Sequence, residues 1–336
     1  MATRGPLAPH TCSLHSIRTV LIGCSLDEDS DDVVRAGLAV ARAAGARAFL
    51  VHAADFEPPL PVLEIAATAP AFYDEQATWR ERQMADQVQR LGIADTELLG
   101  TRVVVGPPHR VLADAARETG AELMVIGATR GRGVGNKLLG STADRVLRKA
   151  LCPVLVVRGE LRMPPHRVLV PVDLSTLSGD AFHCGLHFLA EIAGDSPVEV
   201  AAFHAVTFLD LTAYRHRAVP PVPETTEEVL RLVEGEMARF LHDSKVDGEA
   251  VESRVVAGDP RVEVLQELER RPADLVIMGT HGRGGFDRFL LGSVSSSLAR
   301  EAPCSLLLVP PEAALAEALA DAVVARTTPD FGAVPS

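Results

Sequence analysis

The segment GTHGRGGFDRFLLGS, Gly279–Ser293, holds five glycines, two arginines and a closing Gly-Ser directly behind the apolar run ADLVIM. Glycine held in place costs conformational entropy, so several together point to a backbone that turns tightly or approaches something closely. A helix beginning near Ser293 would present N–H groups with no intrahelical partner at the positive end of its dipole. Glycines let such groups reach phosphate oxygens, the Ser293 hydroxyl adds a donor, and Arg283 and Arg288 supply positive charge. The chemistry this suits is the cradling of a polyphosphate. G-x-x-x-x-G-K-[ST] is absent, and the final Gly-Ser lies too far along for the dinucleotide fingerprint. A surface turn is the competing reading of glycine content alone.

Other reactive residue types suggest less. Ser293, Ser295, Ser296 and Ser297 lack the strand-to-elbow setting of a hydrolase nucleophile. Among eleven histidines no H-x-x-x-H with a helical partner carboxylate stands out, and no metal site is expected. The acidic run LDEDSDD, Leu26–Asp32, reads as a solvated helix start.

The elements that must position the loop occur twice. Glu122–Val157 aligns without gaps on Asp274–Val309 at an offset of 152, with 12 of 36 positions identical. The same offset pairs His52 with His204. Nearer each start it falls to 148, pairing TVLIGCSLD at Thr19 with RVLVPVDLS at Arg167. The four extra residues are expected around Gly194–Pro197, a turn-like stretch that tolerates insertion. The copies span about 17–158 and 165–310, joined by a linker at 159–164. A tail at 1–16, expected to be disordered, and a helix with a tail at 311–336 flank them. Within each copy, apolar runs of four to six residues alternate with helical periodicity. This predicts an α/β fold with a parallel sheet covered on both faces and ligands at the carboxyl ends of its strands.

Composition narrows the partners. The 336-residue chain is 47% hydrophobic, 4% aromatic and carries a net charge of −12. Negative charge repels a polyanion and few aromatic rings remain for base stacking, so nucleic acid is not an expected partner. No secretory leader and no membrane span are read, and five scattered cysteines without C-x-x-C read as reduced thiols, so the expected location is cytoplasmic.

The spacing G-x2-G-x9-G-S, filled by Gly279, Gly282, Gly292 and Ser293, resembles the ATP-binding signature of the universal stress protein family. VLVPVDLS, a strand ending in Pro-x-Asp, and FHAV around His204 are similar to it as well, and the resemblance covers both copies. It implies two tandem five-stranded parallel, Rossmann-like domains, often paired through the last strand, that bind ATP, with or without Mg²⁺, and turn it over slowly at most. It implies that Asp173 contacts the adenosine moiety, Val172 and Ala205 flank the base, and Met278 and Gly279 lie beneath it. Gly282, Arg283, Gly292, Ser293 and Val294 would hold the phosphates.

The first copy departs from this pattern. Ser25 replaces Asp173, Gly23 replaces Pro171, and Arg130 stands where Gly282 stands, giving G-x3-G-x8-G-S through Gly127, Gly131, Gly140 and Ser141. Weak binding or none is expected there. The expected function is an ATP-dependent conformational or interaction switch in the stress response, acting as a homo-oligomer or intramolecular pseudo-dimer. A nucleotide-free scaffold and a slow ATPase are the alternatives.

Overall fold

The computed structural model describes residues 14, 16–55, 70–128, 139–217, 225–244, 251–281 and 291–311. The expected C-terminal helix, nearly all of the N-terminal tail and the interior of both glycine loops lie outside the described residues. The first half runs β1 (Thr19–Gly23), α1 (Asp31–Ala43), β2 (Arg47–Ala54), α2 (Pro70–Arg90), β3 (Leu98–Val105), α3 (Pro108–Thr119), β4 (Leu123–Gly127), α4 (Ser141–Arg148) and β5 (Val154–Val157). The second half runs β6 (Arg167–Pro171), α5 (Thr176–Ala193), β7 (Glu199–Val206), α6 (Phe208–Arg217), α7 (Thr226–Asp243), β8 (Glu252–Ala257), α8 (Pro260–Arg270), β9 (Leu275–Gly279), α9 (Ser293–Glu301) and β10 (Ser305–Val309).

These strands form one ten-stranded sheet in the order β3-β2-β1-β4-β5-β10-β9-β6-β7-β8. Each half is parallel, with its first strand between its second and fourth. The halves meet where β5 and β10 pair antiparallel, Leu306 opposite Val156 and Leu308 opposite Val154. Every residue of β5 and β10 is buried, which is why both runs are apolar without alternation. Two apolar clusters, each drawn from both halves, cover the faces. One lies under α1 and α5, the other under α3, α4, α8 and α9.

The four extra residues of the second half fall differently from the sequence expectation. α5 has 18 residues against 13 in α1, and the connection to the next strand is 194–198 against 44–46. The insertion therefore lengthens the helix end as well as the turn. α1 and α5 both approach the sheet through glycine. A Cβ at Gly37 would meet Ile22 Cδ1 at 2.6 Å, and one at Gly185 would meet Ile277 Cγ2 at 2.6 Å.

At the amino ends of the second-half strands lies a charge network that the first half matches only by the exposed pair of Arg102 with Glu118 among the described residues. Glu267, buried on α8, accepts from Arg167 Nη2 at 3.1 Å and from Arg254, and Glu199 ties in Arg167 and Arg271. Ala115 stands at the equivalent of Glu267. A buried carboxylate is tolerated here because two guanidinium groups share it.

Gly185→Ala forces a methyl group against a β-branched side chain in a packed core and is expected to cost about 1–3 kcal/mol. Gly235, exposed on α7 with nothing within 4 Å of an added Cβ, gives the opposite sign. Gly235→Ala should stabilise by about 0.5–1 kcal/mol through helix propensity alone. Urea midpoints of the two variants check both.

Candidate functional site

In the second half a cavity of about 500 Å³ opens where the carboxyl ends of β6, β7 and β9 meet the amino ends of α8 and α9. Val172, Asp173, Ala205, Met278, Gly279, Gly292, Ser293 and Val294 all line it. Gly282 and Arg283 lie outside the described residues. Sequence reasoning did not single out Ser178, Thr207, Asp210, Pro260, Val264 or His281, which also line it. Their signal was available only as position, after a strand end or in the first turns of a helix.

Backbone links fix the walls. Val172 N–H donates to Phe203 O at 2.8 Å, and buried His204 donates from Nδ1 to Val172 O at 2.8 Å, so the segment entering Asp173 is clamped to β7. Beyond it, Asp173 Oδ1 accepts from the Ser175 N–H at 3.0 Å and from the Ser175 hydroxyl. Leu174 between them has φ 59°, a left-handed conformation that a branched side chain adopts only under constraint. Ser175 in turn caps α5 by accepting from Ser178 N–H at 3.2 Å.

The glycine loop leaves and returns at one point. Thr280 N–H donates to Val309 O at 2.9 Å, and Gly292 N–H donates to Thr280 O at 2.8 Å. A Cβ at Gly292 would come within 3.2 Å of Thr280 O, and one at Gly279 within 3.2 Å of His281 O. Ser295 Oγ donates to Gly279 O at 2.8 Å, pinning α9 to the end of β9. α9 begins after Gly292 with no side-chain cap and no acidic residue in its first turn. Ser293, Val294 and Ser295 on that turn border the cavity. The wall thus combines uncapped N–H donors, a hydroxyl and glycine clearance, the set that receives an anion.

The first half builds the same shape more tightly. Its cavity holds about 330 Å³ and is lined by Ser25, Gly127, Gly140 and Ser141, with Leu112 where the second half has Val264. Arg130 and Gly131 lie outside the described residues. Gly140 N–H donates to Ala128 O at 2.7 Å and His52 from Nδ1 to Cys24 O at 2.9 Å, repeating both closures. The strand-end turn is exchanged rather than lost. Asp173-Leu174-Ser175 becomes Ser25-Leu26-Asp27, with the Ser25 hydroxyl donating to Asp27 Oδ1 at 2.8 Å and Leu26 at φ 67°. The carboxylate has moved two residues along. It lines a neighbouring hollow of about 300 Å³ with Trp79, Arg80 and Gln83 instead of the main cavity.

Cys24 borders the first cavity, yet burial pushes its thiol up to about 12, as it does those of Cys152 and Cys304. These cysteines are free and packed as small apolar groups. With thiol pKa values that high the thiolate is scarce at pH 8. Iodoacetamide at pH 8 is therefore expected to leave all three unmodified in the folded chain and to label them in urea, read by peptide mass.

The family model described as "Universal stress protein family" matches residues 16–158 and again 165–310. A universal stress protein of Mycolicibacterium smegmatis is 30% identical over 306 residues, covering 87% of this chain and 97% of that protein. Among solved structures, a putative universal stress protein from Pseudomonas aeruginosa superposes with a TM-score of 0.63 at 16% identity over 93% of this chain and 99% of its own. One from Archaeoglobus fulgidus gives 0.54 at 19% identity, covering 87% and 98%. Two family matches in series, joined by one sheet, place this chain in the universal stress protein family as a tandem-domain member.

Proposed function

We propose that this stress-response protein binds ATP in the second-half cavity and uses it as a switch of conformation or interaction. The observation that carries the reading is the meeting of Asp173 with the uncapped start of α9 around one cavity of about 500 Å³. Asp173 would take the adenosine hydroxyls, Val172, Ala205 and Met278 the base, and Gly292, Ser293 and Val294 the phosphates. Gly282 and Arg283 are proposed to join them. Glycine at 292 keeps the loop's return close to Thr280 O, where a side chain would press on that carbonyl. Mg²⁺, where present, would be carried by the phosphates with water completing its shell.

The first cavity is proposed as the weaker site. It is smaller, and Asp27, the carboxylate of its strand-end turn, faces the neighbouring hollow, leaving Asp55 as the carboxylate on the first cavity's lining. A route for switching is supported by Arg158. Its guanidinium donates to the carbonyls of Ala299 and of Arg300, the latter at 3.0 Å, at the end of α9. One helix thus has its start on the second cavity and its end held by the first half. Repositioning of α9 around phosphate would be felt across the junction. For the slow-ATPase alternative, no residue among the described ones is assigned as base in this reading, which puts Asp173 at the nucleoside end.

The test is nucleotide content after purification, followed by ATP titration of wild type and Asp173→Ala. About one ATP per chain is expected. Losing a hydrogen bond to a charged group should weaken the variant roughly 10- to 100-fold. Two per chain would place Asp27 on equal terms with Asp173. None, with no titratable binding, would leave a nucleotide-free scaffold held by β5 and β10.

A further inference from the structure

His183 and His187 take no part in either cavity. They stand one helical turn apart on α5, in the run HCGLH. Their Nε2 atoms lie 2.9 Å apart, with ring centroids at 4.4 Å and planes crossing at 78°. Both side chains are half-buried. Helical periodicity turns them away from Gly185, which packs on Ile277 of β9.

Two imidazole nitrogens this close cannot both present a lone pair to the other. Either one ring donates a proton into the gap or both rings hold a cation. The separation also selects among cations. With metal–nitrogen bonds of about 2.0–2.1 Å, adjacent ligands at 90° stand about 2.9 Å apart, and tetrahedral ligands about 3.3 Å. The observed spacing matches adjacent positions of a tetragonal or octahedral centre. Such a centre suits Cu²⁺ and Ni²⁺, and nitrogen ligands hold Cu²⁺ most tightly among the first-row divalent ions.

We propose that His183 and His187 form a chelating site for a divalent transition metal, Cu²⁺ ahead of Ni²⁺ and Zn²⁺. Among the described residues no group of three or more His, Cys, Asp or Glu side chains is placed to hold a metal ion. The remaining positions are assigned to water. The equivalents in the first half are Arg35 and Ala39, so the site occurs once per chain. α5 packs on α1 of the other half, so the ion would load a helix at the junction.

The test uses the full chain without a histidine tag, stripped with chelator and titrated calorimetrically with CuCl₂, beside His183→Gln and His187→Gln. One Cu²⁺ per chain is expected. Each variant should bind about a hundredfold more weakly, because the second imidazole acts as an intramolecular ligand. Electron spin-echo modulation of the wild-type Cu²⁺ complex should count two imidazoles, and this readout stands if a variant fails to fold. Absence of Cu²⁺ binding, equal binding in wild type and both variants, or a single imidazole in the wild-type spectrum would overturn the proposal.

Discussion

The antiparallel pairing of β5 with β10 is the constraint on which the rest of the molecule depends. Two strands buried along their whole length would, if left as edges, expose apolar backbone ready to pair with another chain. Pairing them within one chain removes both edges and runs each apolar cluster through both halves. It also sets direction. Each half is parallel internally and the junction is antiparallel, so the carboxyl ends of the two sets of strands lie on opposite edges of the sheet. Both cavities follow from that. So does the reach of Arg158, which leaves the end of β5 beside the last turn of α9.

On this shared frame the two halves have diverged at a few positions. Both retain a histidine that closes the strand end, a left-handed leucine, and a glycine N–H that fastens the loop's return. Those contacts involve backbone or a fully buried ring, so little can change without losing the turn. The side chains that face the cavities are freer. Exchanging Asp-Leu-Ser for Ser-Leu-Asp keeps the turn hydrogen bond and moves the charge into another hollow. Leu112 in place of Val264 narrows the first cavity. Away from the cavities, Glu267 and its arginines replace an apolar contact at the amino edge of the second half alone.

Resemblance to the family supplied the candidate cavity residues, while sequence alone determined the repeat and the alternation of strand and helix. These are local properties: runs of buried apolar residues, helical spacing, and glycine where a turn or close approach is required. The position of Ser25 opposite Asp173 was equally plain. What Asp27 does two residues later was not, because a hydrogen bond across a turn depends on the φ of Leu26 and not on residue type. The division of the four-residue insertion between α5 and its turn was hidden for a similar reason, since helix ends are set by what the next turn packs against.

Tertiary structure decided the remainder. That two sheets become one depends on which edges face each other, and an apolar run carries no address for its partner. The meeting of His183 with His187 shows the same limit at smaller scale. Spacing of four on a helix permits the contact, but the rotamers that bring two nitrogens to 2.9 Å are chosen by packing. Sequence thus determined which residues were available and on which element. Only the assembled sheet decided which of them face one another, because those contacts join segments that are remote along the chain.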